Sequence, residues 1–296
     1  KKLLLSLLIV PFTVSAQEAG STNSSKWSYA GLYSLSVSQS SLTNWNAGGE
    51  NNVNVSALLR QAADYNGDLW QWNNTLDANY AINYQGSSAL KTGDKLELTS
   101  RLDRNMNESG TWTASAFLNF RTQFADGFKD REATEPISRW MAPGYLTAGL
   151  GFTHKKDGLE VYLSPVTMKQ TYVFDDTLSS RGEFGVDPGQ NIRTEMGAYL
   201  NATYTKALTE SLDLTTNLNL FSNYLEEPQN VDVNWETILL LQAWSAVKVS
   251  LHLHLIYDHD INVQNPDAAG NFTSPGVQFK QVLGVGIGYT FGKYKE

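Results

Sequence analysis

His252 and His254 stand two places apart, so both imidazoles fall on one face of any extended segment. Antiparallel pairing with the preceding segment brings Glu236 near His254. Two imidazoles beside a carboxylate are ligands for a divalent cation, which makes His252, His254 and Glu236 a candidate metal set. The plainer alternative is hydrogen bonding within a polar interior, and no metal or cofactor is expected. Acids flank a histidine in Asp258-His259-Asp260 and stand alone in Asp175-Asp176. Such pairs suit a loop-borne hydrolase, but more often they are solvated loop residues. A serine–histidine dyad finds no serine neighbour for the inward histidines, and His154 lies on an apolar face near a turn. No catalytic residue is expected, and a hydrolase is the third choice of function.

The most numerous chemical groups are charges of both signs on one face of alternating segments. Arg60, Asp77, Glu97, Arg101, Arg121, Arg193, Glu195, Asp213 and Lys248 are the leading members. One reading is a hydrophilic pore; the other is a salt-bridged filling that holds a narrow barrel rigid. Hairpin register places Glu97 near Arg121, which suits the second. A pure anion or cation channel would carry more of one sign.

Positioning those groups requires long two-faced strands. Period-2 alternation marks twelve segments, near 27–38, 52–65, 69–84, 95–106, 111–124, 145–155, 159–174, 192–205, 211–224, 231–243, 247–258 and 277–291. Pro165 interrupts the seventh, leaving its second half open. Many segments exceed the roughly five or six residues of a soluble strand and meet the nine to eleven or so that a tilted membrane strand needs. Short connections alternate with long ones at 39–51, 85–94, 125–144, 175–191 and 259–276. Turn parity agrees. Across Asn66-Gly67 the apolar face switches from odd to even numbers, and across the three residues 244–246 it does not.

Alternation alone does not say which face is outside. Twelve strands enclose more space than Leu and Ala can fill, since about eight strands is the size that side chains pack. Aromatics also gather at segment ends. Trp27, Tyr65, Trp70, Trp72, Trp112, Tyr204, Tyr289 and Phe291 form one expected girdle, and Tyr84, Phe124, Tyr145, Tyr224, Trp235 and Tyr257 the other. The expected fold is therefore all-β: a transmembrane antiparallel up-and-down barrel of about twelve strands, greasy outside and polar within.

Composition is consistent with that fold. Charged residues make up 18% of the 296, and there is no cysteine. The formal net charge of -8 argues against nucleic acid as a partner. Lys1 and Lys2, the apolar run 3–10 and Val14-Ser15-Ala16 read as a signal peptide over 1–16. A polar leader over 17–26 and one barrel domain over 27–296 follow. The expected location is a bacterial outer membrane, with its lipid as the first expected partner and other envelope proteins as the second.

One loop stands apart: Gln39, Ser40, Ser41, Leu42, Thr43, Asn44, Trp45, Asn46, Ala47, Gly48, Gly49, Glu50 and Asn51. This stretch resembles the signature of a family of Bacteroidota outer-membrane barrels of unknown function. The length, the leader, the twelve-segment layout and the glycine-rich final strand resemble that family too. The resemblance implies a Gram-negative outer membrane and brings no catalytic residues. Physically, Gly48 and Gly49 permit a sharp reversal, and Trp45 needs an apolar seat with a partner for its N–H. A loop tucked into the barrel mouth, with Asn44, Trp45, Gly48 and Gly49 as its plug, is one expectation; an exposed loop tip is the other. The favoured function is a narrow channel for small hydrophilic solutes. The main alternative is a non-transporting scaffold that binds envelope proteins through its loops.

Overall fold

In the computed structural model the described residues are 26–40, 51–244, 247–266 and 272–291. The chain forms β1 (Trp27–Ser40), β2 (Asn52–Asn66), β3 (Trp70–Gln85), β4 (Ser88–Asn105), β5 (Trp112–Thr122), β6 (Gly144–Lys156) and β7 (Leu159–Tyr172). It continues with the short helix α1 (Asp176–Ser180), β8 (Ile192–Thr209), β9 (Leu212–Asn223), β10 (Val231–Gln242), β11 (Val247–Tyr257), β12 (Asn262–Pro266), β13 (Phe272–Pro275) and β14 (Gln278–Phe291). Twelve of these strands close an antiparallel barrel in the order β1-β14-β11-β10-β9-β8-β7-β6-β5-β4-β3-β2. Each neighbour in sequence is a neighbour in space, apart from the β12–β13 hairpin, which lies in the last long loop.

Register follows turn chemistry. Asn66 belongs to β2 and pairs with Gln71, so the turn is the four residues 67–70 rather than Asn66-Gly67. Both lengths are even, and Tyr65 still faces Trp72, odd against even, while Leu241 faces Val249, odd against odd. Faces follow register. Leu150 is 65% exposed and Leu283 69%, whereas Asp103 is 0% and Glu195 2%. A soluble protein would reverse that distribution. The apolar stripe is outside and the polar stripe inside.

The strands differ from expectation at several points; β8, for one, runs on to Thr209 rather than ending near 205. β4 begins at Ser88 rather than near 95, because Gly86 with φ +59 lets Gln85 pair with Ser88 in a tight turn. The stretch 85–94 is thus a hairpin extension and not a long loop, with a bulge between Ala81 and Ile82. It carries no clean alternation, so periodicity missed it. Pro165 does not end β7. It sits in a bulge between Ser164 and Thr167, where the ladder loses no required donor. Ser164 Oγ donates to Leu150 O at 2.8 Å and sits 2.9 Å from Val166 O. Tyr145, expected in a girdle, shares the inward parity of Thr147 and Gly149 and pairs with Arg121, whose guanidinium lies 5.0 Å from its ring centre.

The long-loop end carries its own small core. Ala142, Val173, Leu178 and Val186 are buried together with Phe184 against them. Asp175 caps α1 by accepting from Thr177 N and Leu178 N, and Arg139 Nη1 reaches its carboxylate at 3.0 Å. Asp94 accepts from Phe124 N and Ala125 N, at 2.8 and 2.9 Å.

Candidate functional site

The candidate site is the barrel interior, built in three layers. Nearest the short turns, Asp103 on β4 is fully buried and acts as a hub. It accepts from Ser115 Oγ at 2.6 Å, from Asn73 Nδ2 at 3.1 Å and from Arg101 Nε at 3.1 Å, and Lys155 Nζ lies 3.1 Å away. Arg101 continues to Glu160 on β7, and Lys155 reaches the same carboxylate at 3.5 Å. Ser115 and Thr153 share a 2.7 Å bond. Five strands, β3 through β7, are joined by one network.

The middle layer is aromatic on one wall and charged on the other. Phe117 packs on Tyr162 with ring centres 5.3 Å apart and on Tyr199 at 5.6 Å. Tyr199 donates to Asn219 Oδ1 at 2.5 Å. Facing them, Arg60 pairs with Asp77 at 2.5 Å and Lys95 with Glu97 at 3.0 Å. Asn119 Nδ2 donates to Glu97 Oε1 at 3.0 Å. Lys95 lies close enough to Glu236, on β10, for the two charges to interact across the interior.

At the long-loop end Lys169 holds Asp232 at 2.7 Å and Glu195 at 3.5 Å, with its ammonium 4.9 Å from the Phe221 ring centre. Arg193 contacts Asp260 at 2.5 Å, Glu195 at 3.5 Å and Glu226 at 3.7 Å, and donates to Gly185 O at 3.2 Å. Burial pushes the Asp258 carboxyl, just beyond β11, above the usual carboxylate range, and the Lys169 charge opposes this. Three of these contacts are chords across the lumen: Arg101 to Glu160 links β4 and β7, Lys169 to Asp232 links β7 and β10, and Arg193 to Asp260 links β8 to the end of β11.

All nine leading charges stand at inward-facing register positions. Glu97 and Arg121 are directly paired, though Glu97 makes its ion pair with Lys95. Asp213 is exposed, one residue into β9 at the short-turn end. Glu236 pairs with His254 in the β10–β11 ladder, with its oxygens 3.6 Å from His254 Nε2 and 3.9 Å from His252 Nε2. His254 Nε2 is also 3.0 Å from Asn234 Oδ1. Among the described residues no group of three or more such side chains is placed to hold a metal ion. His154 faces outward against Trp112, ring centres 4.5 Å apart. Asp175 is occupied as a helix cap. His259 Nδ1 lies 3.2 Å from Tyr257 Oη, and its Nε2 is 3.7 Å from Glu227. Asn44, Trp45, Gly48 and Gly49 lie outside the described residues.

Sequence reasoning missed the aromatic layer and several of the cross-lumen partners. Phe117, Tyr162, Tyr199 and Phe221 all occupy positions of polar-face parity, and that shared parity was the available signal. Lys155, Glu160 and Lys169 escaped notice because they sit at a turn or past the Pro165 bulge, where the alternation is broken.

Residues 37–128 match the profile of a protein family described as "Protein of unknown function (DUF3078)". No curated protein matches the chain. Among solved structures it is similar to the translocator domain of the autotransporter NalP from Neisseria meningitidis, at 10% identity over 90% of this chain and 88% of that one, TM-score 0.34. It is also similar to a refined porin, at 7% identity over 90% and 100%, TM-score 0.33. Salmonella typhi OmpF in complex with daunomycin gives 10% identity over 89% and 96%, TM-score 0.31. These are likenesses of general form, and function has to be argued from the residues.

Proposed function

We propose that this protein is an outer-membrane barrel providing a narrow passage for small hydrophilic solutes. The observation that carries the reading is the inward face, which carries charge on most strands yet is unevenly filled. β4 to β8 are packed with the Asp103 network and the aromatic layer. β14, β1 and β2 present Gly284, Gly286, Ser34, Ser36, Ser38 and Ser56 to the interior, on the same face as Leu32, Leu58 and Val282. The path of least obstruction runs along these small residues. The charges beside it are of both signs, Arg60 and Asp77 among them, so discrimination between anions and cations is weak. The apolar exterior supports lipid as the surrounding solvent. The leader over 1–16 and the loop 39–51 support export to the outer membrane of a Gram-negative bacterium of the Bacteroidota.

Single-channel recording in planar bilayers tests this. The wild type gives small discrete steps, and Lys169→Ala, which cuts one chord, enlarges them. Silence from both proteins in their folded state overturns the passage. The second reading, a non-transporting scaffold, is favoured by the three chords, which brace the wall from inside. Recovery of a stoichiometric envelope protein in mild detergent, together with electrical silence, selects it.

A further inference from the structure

The barrel closes between β1 and β14, and that closure is incomplete. Pairing runs from Gly31↔Phe291 to Ser36↔Gly286 and stops there among the described residues. β1 nevertheless continues to Ser40, paired on its other side to β2, and β14 begins at Gln278, paired on its other side to β11. A Cβ on Gly286 would meet Ser36 Oγ at 2.3 Å. On Gly284, two residues on, it would meet Ser250 Oγ of β11 at 3.0 Å and no described atom of β1 within 4 Å. The two strands therefore part toward the long-loop end. They part within the apolar belt, since Val37, Phe279, Leu283 and Val285 on either side are 58%, 62%, 69% and 56% exposed.

Parted edges in hydrocarbon present N–H and C=O groups that acyl chains cannot satisfy, each at a cost of several kcal/mol or so. Over the joined pairs Tyr33↔Tyr289 and Leu35↔Ile287, next to that parting, lies an outer-surface groove of about 670 Å³. Its walls include Tyr33 of β1, Ala57 and Leu59 of β2, Ala78 and Tyr80 of β3, and Tyr289 of β14. The groove is open along the outer face rather than enclosed, and its walls are apolar and tyrosine-edged.

We propose that the β1–β14 seam is a lateral opening between lumen and bilayer, and that the groove holds the acyl chain of a single-chain amphiphile whose hydrogen-bonding head sits at the parted edges. The glycine and serine positions inside the seam leave the head room to enter the lumen. The occupant is a lipid-like molecule and not a protein strand, because the groove continues the surface that faces acyl chains. This inference stands whether or not the lumen conducts ions.

The test uses the full chain in phospholipid nanodiscs with a photoactivatable palmitic acid. Cross-links concentrate on peptides carrying Tyr33, Leu59 and Tyr80, and excess palmitic acid suppresses them. Ala57→Phe and, independently, Ala78→Phe fill the groove and lower labelling at least five-fold while the folded form persists on gels. The chain has no cysteine, so Ser38→Cys with Gly284→Cys can be bridged by a short bis-maleimide. Bridging lowers labelling to that of the β5–β8 face, and bridging Ser56→Cys to Ala81→Cys within the β2–β3 pair leaves it unchanged. Even labelling around the barrel, or labelling indifferent to both filling variants and to the seam bridge, overturns the proposal.

Discussion

The wall from β4 to β8 and the seam between β1 and β14 solve the same problem in opposite ways. Both must satisfy backbone ladders between an apolar outer surface and a polar space within. The wall adds a second layer of side chains, with Asp103 joined to five neighbouring donors and Phe117 packed against two tyrosines. The seam has small residues where the wall has large ones, and among the described residues its ladder ends at Ser36↔Gly286. Strand pairing alone closes a barrel, and interior side chains decide which part of it stays rigid. The contrast assigns rigidity to one side and access to the other.

The strongest way to break that contrast is to attack the hub. Asp103→Ala leaves Arg101 and Lys155 beside a vanished carboxylate, and removing one partner of a buried ion pair costs about 3–5 kcal/mol. Urea unfolding from liposomes checks this; a loss below about 1 kcal/mol would mean that the network is decorative. Next is the face assignment. Leu150→Arg on the outside costs about 2–4 kcal/mol if it lies near the bilayer midplane, whereas a lumen charge such as Asn217→Arg is tolerated. Equal costs would erase the distinction between faces.

Backbone proximity gives a third, smaller effect. A Cβ at Gly151 would lie 2.0 Å from Leu163 O, beside the Pro165 bulge. Gly151→Ala therefore costs about 1–3 kcal/mol, read from the same unfolding curves. The smallest effect belongs to the seam. Ser34 Oγ donates to Ile287 O at 3.3 Å from an exposed position, so Ser34→Ala stays within about 0.5 kcal/mol. A larger loss there would show the seam to be as tightly held as the wall.

Much of this was legible in the sequence, for a physical reason. A strand's side chains alternate strictly, so one turn of correct parity fixes every face that follows. Asn66-Gly67 and the three residues 244–246 did this for β2–β3 and β10–β11, and the inward placement of Arg60, Asp77 and Glu97 followed. Legibility failed where the period broke. The β3–β4 extension around Gly86 and the bulge at Pro165 shift register by mechanisms that alternation does not encode. The chords were hidden for a different reason. Arg101 meets Glu160 across two intervening strands, and neighbour-by-neighbour register says nothing about contacts through the lumen. The parting of β1 from β14 belongs to closure of the whole barrel and has no local signature.

The most direct test of the central claim is nitroxide accessibility along β8. Single cysteines placed in turn from residue 194 to residue 203 are spin-labelled in a lipid bilayer and relaxed with oxygen or with a water-soluble nickel chelate. Even positions, such as Met196 and Leu200, should respond to oxygen, and odd ones, such as Glu195 and Asn201, should not. Loss of that two-residue rhythm, or its inversion, would contradict a barrel with its apolar side toward lipid.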